Sequence, residues 1–188
     1  MTDATIDDGA RRTVLTGTLR DGLRVVITTL VADDRDDVAH GFDELSDRTK
    51  YLRFLTAKDH LSQRSLSRLV DDVDGHDHVA LALWWERHST ADVLLGDARF
   101  IRLVDDPDCA DVAVTVADVI QGQGAGTLLM RALVLRAREE GITRFSAVMD
   151  PSNEASHRMM LRVGPVLRDA VHDGTREVEV RVPASDDE

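Results

Sequence analysis

A strand that enters a glycine-rich turn and leaves it as a helix restricts a chain to few architectures, and "VTVADVIQGQGAGTLL" (114–129) reads as such a unit. In the run before the turn, Val112, Val114 and Val116 share one face of a pleat, while Asp111, Ala113, Thr115 and Ala117 share the other. After it, Leu128, Leu129, Ala132, Leu133, Leu135 and Ala137 form a broad apolar helix face that stops near Gly141, a good C-cap residue. Gly122, Gly124 and Gly126 carry no Cβ, so the backbone can approach a ligand and adopt left-handed dihedrals. The first N–H groups of a helix lack partners and carry its positive end, so the turn is either an anion site, suited to phosphate, or a turn that merely needs glycine. Gly-Lys followed by Ser or Thr, which a P-loop requires, is absent. The dinucleotide pattern G-x-G-x-x-G fits Gly122 and Gly124, but its third position is Thr127. Asp150, at the end of the next strand, could be offered as the ribose acid, but too few strands follow to build that fold.

The remaining residues surround this unit with one mixed α/β domain. A chain of 188 residues can bury a substantial core without disulfides. "RTVLTGTLRDGLRVVITTL" reads as two strands about a turn at Asp21-Gly22. Two helices are predicted next, one carrying Val38, Phe42 and Leu45 and one carrying Leu61, Leu66, Leu69 and Val70. "HVALALWW", "DVLLGDARFIRL" and "DVAVTVADV" are strands. So is "TRFSAVM", followed by a short helix capped by Ser152 or Asn153 and ended by Gly164; "REVEVRV" closes the chain with clean alternation. The order is β-β-α-α-β-β-β-α-β-α-β-β. Residues 1–12 and the acidic tail 183–188 are polar and expected to be flexible, leaving a folded unit at 13–182.

A net charge of −12 opposes binding to nucleic acid, whose non-specific affinity comes from clustered Lys and Arg; it favours cationic partners such as lysine side chains or small amines. No segment approaches the roughly 20 apolar residues that span a bilayer, and the polar start lacks a signal peptide. With Cys109 the only cysteine, the expected location is the cytoplasm, away from membranes.

Gln121, Gly124 and Gly126 match Q/R-x-x-G-x-G/A and thereby resemble the pyrophosphate signature of the GNAT superfamily of acyl-CoA-dependent N-acyltransferases. The flanking strand and helix, the next strand, and Asn153 leading a helix toward Gly164 follow the same family's order. "FDELSDRTKYLRFL" (42–55), "ADVAVTVADVIQGQGAG" (110–126) and "DPSNEASHRMMLRVG" (150–164) look like segments of bacterial Pat-type protein lysine acetyltransferases. The resemblance implies a single GNAT-like α/β domain, with a mixed, mostly antiparallel central sheet flanked by helices. It also implies transfer of the acetyl group of acetyl-CoA to a protein lysine by direct reaction in a ternary complex. The acceptor it suggests is an acyl-CoA synthetase-like protein. Some members carry a cyclic-nucleotide-binding or synthetase-like domain, for which 188 residues leave no room.

The same resemblance assigns the diphosphate of the donor to the backbone of Gln121, Gly122, Gln123, Gly124, Ala125, Gly126 and Thr127. It lays the pantetheine arm along Val114, Thr115 and Val116, and brings in Asn153, Ser156 and Arg158 from the second motif. Position 123 is often Arg in such proteins and is Gln here; Arg158 or Arg131 could supply the missing charge. A lysine amine, with an ordinary pKa of about 10.4, arrives protonated, so something must take its proton. Pat-type proteins commonly place Glu ten positions before the signature Gln, and this chain has Asp111 there, whose shorter reach favours transfer through water. The family's usual general acid, a Tyr seven positions after the motif's Asn, is Met160 here, so that role is vacant.

Other candidates carry less chemistry. His76 and His78 lack a third metal ligand at a recognised spacing, and no metal is expected. Cys109 has no His partner in sequence. Tyr51, the only tyrosine, falls in a helical region, as a packing residue or as part of the acceptor site. Trp84 and Trp85 face opposite sides of a strand, one toward the core and the other available to line an acceptor groove. Two further readings stay open: acetylation of a small amine such as a polyamine or aminoglycoside, and a non-catalytic acyl-CoA-sensing module, suggested by Asp111, Gln123 and Met160.

Overall fold

Alternating apolar residues build one eight-stranded sheet in the computed structural model, which describes residues 10–86 and 93–184. The strands are β1 (Thr13–Thr18), β2 (Arg24–Thr29), β3 (His78–Trp85), β4 (Val93–Leu103), β5 (Asp106–Val116), β6 (Arg144–Met149), β7 (Val166–His172) and β8 (Thr175–Arg181). Their order is β1-β2-β3-β4-β5-β6-β8-β7, antiparallel throughout except between β5 and β6. That parallel pair is joined only at Cys109/Arg144, Ala110/Phe145 and Asp111/Ser146. Beyond Asp111 the two strands part, and the split opens the sheet toward the glycine turn.

Among the described residues five helices cover the sheet: α1 (Arg35–Asp43), α2 (Asp47–Phe54), α3 (Gln63–Leu66, continuing into a wider π-type turn at Ser67–Asp71), α4 (Ala125–Glu139) and α5 (Glu154–Leu161). On one face α4 buries Leu129, Ala132, Leu133 and Ala137 against Phe100, Ala110 and Phe145, all fully or almost fully excluded from water. Burying one such leucine stabilises the fold by about 1.5–3 kcal/mol. On the other face Leu30, Val38, Leu66 and Val70 close over Ala80, Ala82 and Trp84. No helix among the described residues is long and apolar enough to cross a membrane.

The sequence pattern predicts two helices between β2 and β3, and the structure has three. The additional one, α2, has no apolar stripe to announce it; of its eight residues only Lys50 is buried. Ser46 nucleates it, its hydroxyl accepting the Thr49 N–H. At the far end Leu55 adopts a left-handed φ of 53°, a conformation that costs a non-glycine residue about 1–2 kcal/mol.

Two other local readings are corrected, at Gly164 and Trp85, and one open alternative is decided. Asn153, not Ser152, caps α5, its side chain accepting the Ser156 N–H at 3.2 Å, while Ser152 bonds Asp150. Gly164 does not end that helix as a left-handed cap. It is glycine because a Cβ there would lie 2.2 Å from the Arg181 carbonyl oxygen. Trp84 donates its indole N–H to Thr28 at 2.9 Å, and Trp85 packs against the core on the α4 side instead of lining a groove. The predicted flexible ends fall largely outside the described residues, which exclude 1–9 and 185–188.

Candidate active site

The glycine turn follows β5 after one short helical turn at Asp118–Ile120. Gly122 and Gly124 have φ of 77° and 97°, conformations that residues with a side chain rarely adopt, and Gly124 delivers the chain into α4. No side chain caps α4, so the N–H groups of its first turn face outward without a side-chain acceptor. Gly126 is ordinary helix; a Cβ there would meet only Met159 Sδ at 3.4 Å and Val116 Cγ2 at 3.7 Å.

The split between β5 and β6 forms a channel of about 700 Å³ that runs past this helix end, within the range typical of small-ligand and cofactor sites. Its walls bring together most of the sequence-predicted residues: Val114, Thr115 and Val116 from β5; Gln121, Gly122, Gly124, Ala125, Gly126 and Thr127 from the turn; Asn153, Ser156 and Arg158 from α5. Gln123 and Asp111 are the exceptions among the predicted residues, Asp111 standing one position before the lined stretch. Gln123 does not line the channel, and its carbonyl instead accepts the Arg20 N–H at 3.0 Å. The Val116 carbonyl is already taken by the Gln121 side chain at 3.1 Å. Arg131 lies exposed on α4 away from the channel, whereas Arg158 lines it, paired with Glu154 at 2.8 Å.

The sequence pattern singles out none of four channel arginines: Arg20, Arg48, Arg53 and Arg162. Arg20, in the β1–β2 turn, donates to the Gly122 carbonyl at 3.1 Å and so stands against the anion loop. Only the pairing of that distant hairpin with the sheet brings it there; an arginine in a tight turn has no local signature of such a role.

Asp111 stands where the parallel strands separate, one residue before the lined stretch of β5 begins at Val112. The residue keeps solvent on one side, yet crowding by the protein raises its carboxyl pKa above the ordinary carboxylate value, with the Arg53 guanidinium opposing that rise. Arg53 comes from α2, lines the channel, and lies 4.9 Å from the Phe54 ring centre. Burial pulls its pKa down, and Asp97 and Asp111 pull it back up. Asp97 is pushed up by burial but held below the carboxylate range by Arg99 and Arg53; Arg99 bonds it at 2.9 Å.

A second, apolar pocket under α1 and α2 shares Arg53 and Thr115 with the channel but holds only about 50 Å³. That is room for a few waters, not for a coenzyme. Met160 is buried in the core beside the channel, and a thioether has no proton to donate. Tyr51 is 44 % exposed, not a packing residue, and its hydroxyl helps hold the Asp150 carboxyl low. His76 bonds Glu140 at 2.9 Å and His78 faces the Asp72 carbonyl at 3.1 Å. Among the described residues no group of three or more His, Cys, Asp or Glu side chains is arranged to hold a metal ion. Cys109 is buried at the foot of β5.

A family model described as an acetyltransferase (GNAT) domain matches residues 24–166. Acetyltransferase Pat of Mycolicibacterium smegmatis is 32 % identical over 169 residues, covering 89 % of this chain; the chain spans about half of that relative, 49 % of its length. An acetyltransferase of Pseudomonas aeruginosa is 30 % identical over 161 residues, covering 85 % of this chain and 84 % of its own. The GNAT domain of S. lividans PAT superposes with a TM-score of 0.78 at 27 % identity, over 89 % of this chain and 96 % of that one.

Proposed function

The chain belongs to the GNAT acetyltransferase family, and from that premise we propose that it moves the acetyl group of acetyl-CoA onto a lysine amine of a protein, with an acyl-CoA synthetase-like protein as the acceptor. The observation that carries this reading is the carboxylate of Asp111 at the point where β5 and β6 part, one residue before the channel-lining stretch of β5, in a channel that also takes in an uncapped helix N-terminus. Acetyl-CoA would supply the acetyl group as a thioester, with its diphosphate toward the N–H groups of Gly124–Thr127. Val112–Val116 would offer the backbone along which the pantetheine arm lies, because beyond Asp111 this edge of β5 has no strand partner. Asp111 would accept the proton that the amine must lose, and its raised pKa makes it a stronger base than a free carboxylate. No acid is required at Met160, since a thiolate of ordinary pKa about 8.5 leaves without protonation.

Radiolabelled acetyl-CoA incubated with a deacetylase-deficient lysate tests the reading. An enzyme-dependent protein band of synthetase size supports it; label confined to small molecules makes the acceptor a free amine; label in neither fraction leaves an acyl-CoA-sensing module. Arg20 supplies a second test. Arg20→Ala is expected to raise KM for acetyl-CoA about fivefold, roughly 1 kcal/mol for one lost charge at the phosphate end, while kcat changes little. The increase should shrink at high salt, because an exposed charge is screened. Equal KM values for the variant and the parent would remove Arg20 from donor binding.

A further inference from the structure

The helix that carries Arg53 to the channel has one aromatic contact with α1, the Phe54 ring edge-on to Phe42 at 5.6 Å. Only Lys50 of α2 is buried, and its ammonium donates to the Asp43 carbonyl at 3.1 Å. What ties α2 to the donor side is the carboxylate of Asp118, which lies between the end of β5 and the glycine turn. One oxygen accepts the Ser46 backbone N–H at 2.9 Å, and the other accepts the Ser46 and Thr49 hydroxyls, each at 2.7 Å. The Gln121 side chain joins the same knot, donating to Thr49 Oγ1 at 3.2 Å and to the Val116 carbonyl at 3.1 Å. The knot therefore binds the first turn of α2, the end of β5 and the signature glutamine into one unit. Desolvation raises the Asp118 pKa, but the Ser46 and Thr49 bonds outweigh it and keep the carboxylate ionised. Hydrogen bonds to a charged acceptor are the strong kind. At the other end of α2 the left-handed turn at Leu55 follows directly on Arg53 and Phe54.

We propose that Asp118 is a positioning residue, which clamps α2 to the donor loop and thereby sets Arg53 in the channel wall. The consequence for the reaction rests on the acetyl-transfer reading above; the consequence for α2 does not. Three variants test it: Asp118→Ala, Asp118→Asn and the pair Asp118→Ala with Arg53→Ala. Hydrogen exchange on the protein without substrate is expected to show the amides of Thr49–Leu55 losing about tenfold or more protection in Asp118→Ala, with α4 unaffected. In Asp118→Asn the new amide oxygen still accepts from the Ser46 and Thr49 hydroxyls, while its NH2 opposes the Ser46 N–H, so protection should be intermediate. In the transfer assay Asp118→Ala should lower kcat about tenfold with acetyl-CoA binding within about threefold, and it should add nothing in the Arg53→Ala background. Unchanged exchange in α2 would overturn the proposal even if no acceptor is ever found. Full additivity with Arg53→Ala would overturn the link to Arg53. Absence of transfer by the parent protein, with α2 loosened in the variant, would count against the proposed reaction and leave the clamp standing.

Discussion

Asp111→Asn is expected to lower kcat at least about tenfold while acetyl-CoA binding stays nearly constant, because a positioned general base contributes on the order of 10²–10⁴ in rate. The amide preserves shape and removes the proton acceptor. Crowding raises the Asp111 pKa in the folded protein, so the parent's kcat/KM should fall on the acid side through a value above that of a free carboxylate, and the Asn variant should lack this limb. Arg53→Ala removes the cation that opposes the rise and should move the limb to still higher pH. Linkage gives the sign for stability. A carboxyl whose folded pKa lies above its unfolded value is best accommodated protonated, so its contribution is lost as pH rises through the folded pKa. Near neutral pH, Asp111→Asn should therefore leave Tm unchanged or higher. A Tm drop accompanying the loss of activity would instead make Asp111 a structural residue, and unchanged turnover would remove it from the mechanism.

The largest effect on stability is expected from Gly164→Ala. The new Cβ would lie 2.2 Å from the Arg181 carbonyl oxygen and 3.4 Å from its carbon. Both neighbours are backbone, and the next residue is bonded across the same gap, the Arg181 N–H donating to the Pro165 carbonyl at 2.9 Å. Relief requires moving the chain between α5 and β7 away from β8, which overpacking data place at about 3 kcal/mol. For a chain of this size that is a fall in Tm of about 10 °C. Gly126→Ala is the control: its Cβ meets only side-chain atoms at 3.4 Å or beyond, so its melting curve should overlay the parent's. Equal melting of Gly164→Ala and parent would show that the β7–β8 end of the sheet can shift freely.

Patterns that repeat within a few residues are legible in the amino-acid order by itself. Alternation places the strands, the broad stripe on 128–137 places α4, and the Gln121–Gly126 signature marks the anion turn, because pleat, helix face and left-handed glycine each follow from neighbouring residues. The same locality places Asp111 on its strand. What the chain alone does not disclose depends on residues far apart in sequence. Helix α2 has no stripe and exists through Ser46 and a carboxylate 72 positions away. Arg20 reaches the anion turn from a hairpin 102 positions upstream. Gly164, read locally as a cap, owes its identity to a strand that follows it. Each is decided by the sheet order, which places β1, α2 and β8 against partners that no local pattern names. Hydrophobic periodicity fixes which face of an element is buried, whereas polar convergence at a site is fixed only once those elements have been packed together.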